Sequence, residues 1–211
     1  MIAVISGATG LVGSLLLPRL LNDKLVSKVI SVGRRSAGVK HDKLEEVIAP
    51  EMHQLDAAKL KGDLYFCCLG TTIKVAGSQE NFYRVDHDAV VEFGKVAKHH
   101  SAKSLLVVTA SGANAKSMIF YNRVKGETER DLRALQLNRL VIFHPALLMG
   151  NRGEQRNAEQ TFVKIAAQLE SWIPASIYRR LATSADLLAA QMCTFAFQDG
   201  FGVQTVEASY I

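Results

Sequence analysis

The sequence predicts a doubly wound α/β fold, with about six or seven parallel strands, helices on both faces and a small C-terminal lobe. Three observations carry this expectation. Short β-branched apolar runs alternate with longer amphipathic segments, as a parallel sheet with crossover helices requires. Of the 211 residues, 48% are hydrophobic, enough to cover a sheet on both sides. The first apolar run ends in Gly7, Gly10 and Gly13, where a strand turns sharply into a helix.

The elements follow in order. Residues 2–6 read as the first strand and 11–21 as a helix, which Pro18 is expected to kink because it removes one amide donor. Residues 28–32 form a second strand and 44–49 a weaker third. Residues 63–69 form a fourth, nearly all apolar, as a strand buried on both faces should be. A long helix spans 79–100, with Phe82, Val85, Ala89, Val90, Phe93, Val96 and Ala97 approximating one face. A fifth strand (104–109), a helix (117–135) and a sixth strand (140–143) closed by His144-Pro145 come next. Helices near 159–172 and 185–197 and a short strand near 203–207 complete the chain. With no repeat or linker, residues 1–211 read as one domain. Residues 150–211 contribute the lobe, and the polar stretch 150–156 is expected to form a mobile loop.

The formal charge of +5 suits anionic ligands such as nucleotide phosphates. The basic residues are scattered without an arginine-rich run, so no nucleic-acid partner is expected. Cys67 and Cys68 are adjacent and would point to opposite sheet faces. With Cys193 they match no zinc spacing, so buried, reduced thiols in a cytoplasmic protein without a metal are expected. The apolar N-terminus lacks the basic flank of a signal peptide. No run reaches the roughly 18–20 apolar residues of a membrane span, so no membrane partner is expected.

The glycine turn is the first candidate site. Gly7 permits the tight turn, Gly10 leaves room for a pyrophosphate and Gly13 lets the helix pack on its strand. The helix N-terminus presents unpaired N–H groups and a positive dipole end to phosphate, and Thr9 can add a hydroxyl. This is a Rossmann-type dinucleotide turn in its proper strand-to-helix context. The end of the second strand then selects the cofactor. An acid there would bind the adenosine ribose of NAD, whereas arginine accommodates a 2′-phosphate. The chain reads Gly33-Arg34-Arg35 with no acid before Asp42. Two guanidinium groups can fork onto phosphate and stack on adenine, so NADP(H) is the expected cofactor.

The catalytic candidates are Ser111, Tyr121 and Lys125. A spacing of four puts the phenol and the ammonium on one helix face, about a turn apart. A free tyrosine titrates near about 10, and a nearby cation favours its phenolate. The same tyrosine, protonated, can donate to a carbonyl oxygen while hydride arrives. Lys125 can also hold the nicotinamide ribose. Ser111 follows the fifth strand at the carboxyl edge, where open α/β sheets bind ligands, and can hydrogen-bond the substrate oxygen. His144 reads either as a packed strand-end histidine or as a group reaching the active site, and His99-His100 as a helix cap or solvated surface. Asp186 reads as helix-terminal, and Trp172 as packing beneath the lobe.

Taken together, Gly7-Ala-Thr-Gly10-Leu-Val-Gly13, Ser111 and Tyr121-x-x-x-Lys125 resemble the short-chain dehydrogenase/reductases, specifically their atypical subgroup. Cys67-Cys68-Leu69-Gly70-Thr71-Thr72, Tyr83-Arg-Val-Asp86 and Tyr121-Asn-Arg-Val-Lys125-Gly126-Glu127 are similar to the HIV Tat-interactive protein 2-like proteins and their bacterial relatives. The resemblance implies dinucleotide contacts from Gly7, Thr9, Gly10, Leu11, Val12, Arg34 and Arg35. It places the backbone of Leu69, Gly70 and Thr71 along the ribose and pyrophosphate, and Thr109 and Ser111 on the nicotinamide side. His144-Pro145-Ala146-Leu147-Leu148 matches the family's proline-containing turn beside the carboxamide. Two positions depart from it. Asp86 stands where many relatives have an asparagine supporting a proton relay, and Ala49-Pro50 replaces an acid after the third strand.

Three functions compete. The first is an NADPH-dependent reductase of a small carbonyl substrate, with Tyr121 as acid/base, Lys125 as its tuner and cofactor anchor, and Ser111 as oxygen donor. The second is a non-catalytic, dinucleotide-sensing protein with a protein partner, which the short C-terminal region favours. The third is a sugar-nucleotide epimerase, a class with a longer substrate lobe. A monomer or homodimer is expected.

Overall fold

Every pairing in the main sheet is parallel. The computed structural model describes residues 1–51, 56–149 and 182–207. Its strands are β1 (Ile2–Ser6), β2 (Lys28–Gly33), β3 (Leu44–Ile48), β4 (Leu64–Cys67), β5 (Ser104–Val108), β6 (Arg139–His144), β7 (Leu147–Met149), β8 (Ala182–Ser184) and β9 (Gly202–Glu207). Its α-helices are α1 (Leu11–Asn22), α2 (Ile73–Ala76), α3 (Gln79–Tyr83), α4 (Ala89–His99), α5 (Phe120–Ala134) and α6 (Ala185–Ala196). Seven strands form the sheet in the order β3-β2-β1-β4-β5-β6-β9. The chain reverses its direction of growth between β1 and β4, and that switch point opens the ligand crevice of such sheets.

Alternation along each strand builds two cores. Ala3 and Ile5 of β1, Leu64 and Phe66 of β4 and Leu106 of β5 face α1 and α6, which contribute Leu16, Leu20, Leu188 and Met192. Val4, Tyr65, Cys67, Leu105 and Val107 face the opposite layer, where α4 and α5 contribute Val90, Phe93, Ala97 and Leu132. Each of the Val, Leu, Ile, Met and Phe side chains among them, withdrawn from water, contributes roughly 1.5–3 kcal/mol. Adjacent Cys67 and Cys68 do part to opposite faces, Cys67 joining one core and Cys68 packing on the other.

Several elements differ from expectation for physical reasons. α1 runs through Pro18 to Asn22. The carbonyl that proline leaves without its helical donor belongs to Ser14, and both residues are exposed, so water can satisfy it. The helix expected over 79–100 contains a π turn, Arg84–Asp88, between α3 and α4. The fourth strand stops at Cys67, because the next residues leave the sheet to form a turn that α2 follows. Of the C-terminal segment, α6 and β9 join the main layers, while β8 pairs with β7 in a separate two-stranded sheet. The expected helix near 159–172, Trp172 and the 150–156 loop lie outside the described residues. Among the described residues, no helix is long and apolar enough to cross a membrane.

Candidate functional site

The glycine turn closes on the carboxyl ends of β1 and β4. Ser6 is in register with Cys67, and Cys68 N–H donates to the Ser6 carbonyl at 2.9 Å. Gly7 has φ +80°, and a Cβ there would lie 2.5 Å from the Cys68 carbonyl oxygen. A Cβ on Gly13 would lie 2.1 Å from the Gly7 oxygen. Neither position tolerates a side chain. Gly10 caps α1 with extended backbone, no side-chain cap and no acid in the first turn. Among the described residues, the helix end therefore keeps free N–H donors and an uncompensated positive dipole. Thr9 and Gly10 are exposed and Leu11 partly so, whereas Val12 is buried in the α1 core, leaving Val12 its backbone for a ligand.

Arg34 and Arg35 follow β2 and are exposed. Among the described residues no side chain or carbonyl bonds either guanidinium. The loop that carries them is pinned to β3, where Glu46 accepts from the Ser36 hydroxyl and the Ala37 N–H, both at 2.7 Å. Sequence reading missed this buttress, although Glu46 is an acid on a strand whose edge adjoins the arginine loop.

Beyond β4, the turn Leu69-Gly70-Thr71 is held by a buried ion pair. Asp86 Oδ1 lies 2.7 Å from Lys125 Nζ, with the two side chains 1% and 5% exposed. The Thr71 N–H donates to Asp86 Oδ2 at 2.9 Å. The π turn presents this carboxylate: a widened turn leaves a carbonyl outside the helical ladder, and the Asp86 carbonyl accepts from the Thr128 hydroxyl of α5 at 2.9 Å. One turn residue further, His87 bridges Asp88 and Asp131 at 2.8 and 3.0 Å. Burial acts to lower the Lys125 ammonium, but Asp86, and then Tyr121, outweigh it and hold it above its ordinary value. Asp86 thus makes a charge-bearing contact with α5 and joins the π turn to that helix.

Tyr121 lies at the start of α5, partly buried, with its ring 5.7 Å from Phe82. Ser111 is exposed, and its N–H donates to the Pro145 carbonyl at 2.9 Å. That bond ties the turn after β5 to the His144-Pro145 turn after β6. The following Gly112 leaves space against Asn122, whose Nδ2 a Cβ would meet at 3.4 Å, so the serine turn rests beside the tyrosine's neighbour. Lys125, Asp86, Gly70 and Thr71 are thereby gathered into one cluster, and Ser111 and Pro145 into a second. Thr109, expected on the nicotinamide side, is buried, and its hydroxyl donates to Glu129 Oε1 at 2.6 Å, which secures the end of β5.

A hollow of about 350 Å³ lined by Ile2, Gly62, Asp63, His100 and Lys103 lies at the amino ends of β1, β4 and β5. Ligands of parallel sheets bind at the opposite, carboxyl edge. The Asp63 carboxylate in the hollow is already engaged by the Ile2 N–H. The candidate site is therefore the carboxyl edge.

Comparison with known proteins agrees with this geometry. The sequence model of the NAD dependent epimerase/dehydratase family matches residues 3–117. The mitochondrial protein fmp52 of Aspergillus fumigatus is 32% identical over 87% of this chain and 81% of its own length. Protein HTATIP2 of Rattus norvegicus is 36% identical over 80% of this chain and 72% of its own. Among solved structures, MoeE5 in complex with UDP-glucuronic acid and NAD superposes with a TM-score of 0.75 at 15% identity, over 99% of this chain and 76% of that one. At that identity the structural likeness speaks for the fold alone. The chain belongs to the NAD dependent epimerase/dehydratase family, with the HTATIP2 and Fmp52 proteins among its relatives.

Proposed function

We propose that the chain binds a nicotinamide dinucleotide, NADP(H) in preference to NAD(H), and transfers hydride to or from a small carbonyl or alcohol substrate. The observation that carries this reading is the uncapped N-terminus of α1, cradled by Gly7, Gly10 and Gly13 where no Cβ fits or none is present. Its free N–H donors suit a pyrophosphate. Exposed Arg34 and Arg35, without partners among the described residues, suit a 2′-phosphate beside the adenosine. Leu69, Gly70 and Thr71 would offer backbone along the ribose, and Pro145 would border the carboxamide. When bound, the nicotinamide would supply or accept the hydride.

The chain's own groups would handle the proton and the orientation. Tyr121 would donate a proton to the substrate oxygen in reduction and take it back in oxidation. Ser111 would hold that oxygen, and Lys125 would hold the nicotinamide ribose. The three free thiols support a reducing compartment, the cytoplasm in our reading.

One observation favours a second reading, a dinucleotide-sensing regulator with a protein partner. Asp86 already takes up the charge of Lys125, so the lysine is not a free cation beside Tyr121. NADPH oxidation against a panel of aldehydes, ketones, quinones and UDP-sugars separates the readings. Turnover on a carbonyl supports the reductase. Tight NADPH binding with no turnover across the panel supports the sensor, and failure to bind either dinucleotide removes both.

A further inference from the structure

We propose that Asp86 is a positioning residue that supplies the counter-charge of Lys125 and thereby keeps the site from disfavouring the oxidised form of the dinucleotide. The inference rests on the dinucleotide reading above. Both members of the pair are withdrawn from water, and a buried ion is tolerated only with a close partner. Among the described residues, three titratable groups act on Lys125: Asp86 from the π turn, Tyr121 from its own helix and Cys67 from β4. Of these, Asp86 is the carboxylate at contact distance. Its second oxygen is bound to Thr71 N–H, so the carboxylate also fixes the lysine to the turn after β4.

Gly70 makes the charge of this pair matter to a ligand. A Cβ on Gly70 would lie 3.5 Å from Asp86 Oδ1 and 3.8 Å from Lys125 Nζ. No side chain at that exposed position separates the pair from the ligand-facing turn. An oxidised nicotinamide ring carries a positive charge and a reduced ring carries none. A lone ammonium here would repel the oxidised form selectively, whereas the Asp86–Lys125 pair is neutral and discriminates little.

The test is a titration of NADP⁺ and NADPH with the full chain and its variants, reading the ratio of the two Kd values. At pH 6.5, Asp86→Asn leaves an unpaired ammonium, and the ratio of oxidised to reduced Kd is expected to rise about 5-fold, the scale of one partly screened charge. The double variant Asp86→Asn with Lys125→Met removes both charges and is expected to return the ratio to within about 2-fold of the unmodified protein. A purely structural role would shift both Kd values together, and an unchanged ratio in Asp86→Asn overturns the proposal. If Asp86→Asn does not fold, Lys125→Met read at pH 8.5 carries the test. There the unpaired carboxylate should lower the ratio, and a rise or no change overturns the proposal. An unmodified protein that binds neither form refutes the dinucleotide reading itself, a result distinct from binding with an insensitive ratio.

Discussion

His144 Nε2 lies 2.7 Å from Glu129 Oε1, joining the carboxyl end of β6 to the middle of α5. The other ring nitrogen, Nδ1, lies 3.0 Å from Glu207 Oε1 on β9. Each contact needs a ring N–H, and a neutral imidazole has one. The imidazolium satisfies both. Burial acts to lower its pKa, but Glu129, and then Glu207, outweigh burial and hold it above the ordinary histidine value. Arg133 approaches Glu129 at 3.7 Å and Thr109 donates to it, so the cluster links three strands to α5.

The sign of the pH dependence follows. A group whose folded pKa is raised stabilises most below its unfolded value, 6.5 for histidine, and loses that stabilisation as pH rises through the folded value. The Tm advantage of the unmodified protein over His144→Gln should be widest near pH 6 and narrow toward pH 9. In free energy, the acid limit of that stabilisation should be about 1.5–3 kcal/mol, one hydrogen bond to a charged group. Thermal melts at half-unit steps from pH 5.5 decide it; a constant gap would mean that no proton is lost from this cluster.

Arg34 and Arg35 are surface residues in the fold and ligand groups in the proposed function, so removing them should separate affinity from stability. NADPH should bind more tightly than NADH. Arg34→Ala or Arg35→Ala should each shrink that preference about 10-fold or more, the value of a charge-assisted hydrogen bond. NADH affinity and Tm should stay nearly unchanged. Equal affinities of the unmodified protein for the two dinucleotides would refute the assignment of the 2′-phosphate site.

Tyr121→Phe removes one hydroxyl and keeps the ring against Phe82. If Tyr121 moves the proton, carbonyl reduction should fall about 10²- to 10⁴-fold, with NADPH affinity within about 2-fold, since a general acid acts on the reaction more than on binding. Turnover that survives the substitution would transfer the proton step to another group.

What the sequence disclosed, and what it did not, divides by range. Gly7, Gly10 and Gly13 lie within seven consecutive residues, and the positive φ of Gly7 and the Gly13–Gly7 contact arise within that stretch, so local pattern was enough to find the turn, though not the Cys68 carbonyl that presses on Gly7. The same holds for the β1–α1–β2 order. The partner of Asp86 is 39 positions away, on another helix, and the π turn that presents it leaves no periodic signature distinct from the surrounding helix. Asp86 was conspicuous in sequence as a replacement for asparagine, but its contact with Lys125 depends on how α3, α4 and α5 pack. Thr109, which the family resemblance put on the nicotinamide side, has its hydroxyl bonded to Glu129, twenty residues on, a contact that no local pattern discloses. β9 was legible as a strand, yet nothing local said that it would extend the main sheet beside β6.

Gly126 on α5 marks where the loop after β5 lies directly on the helix. A Cβ there would lie 2.1 Å from Ala115 N and 2.2 Å from the Asn114 carbonyl carbon. Distances so short cannot exist, and the obstacles are backbone atoms, so the loop itself would have to move. That loop starts just beyond Ser111 and hands the chain to Tyr121, and the Asn114 N–H to Asn122 carbonyl bond of 2.9 Å holds its middle. Gly126→Ala should therefore cost about 1–3 kcal/mol of stability, as overpacking does. It should lower kcat at least 10-fold by displacing the serine turn from the tyrosine. NADPH affinity should change by less than about 3-fold, because the phosphate cradle sits on β1 and α1. Gly13→Ala should do the reverse, since its Cβ would strike the Gly7 oxygen at 2.1 Å and distort the cradle. Measuring Kd and kcat on both variants decides whether binding and chemistry occupy separable parts of the carboxyl edge. Parallel loss of both constants in Gly126→Ala would show that they do not.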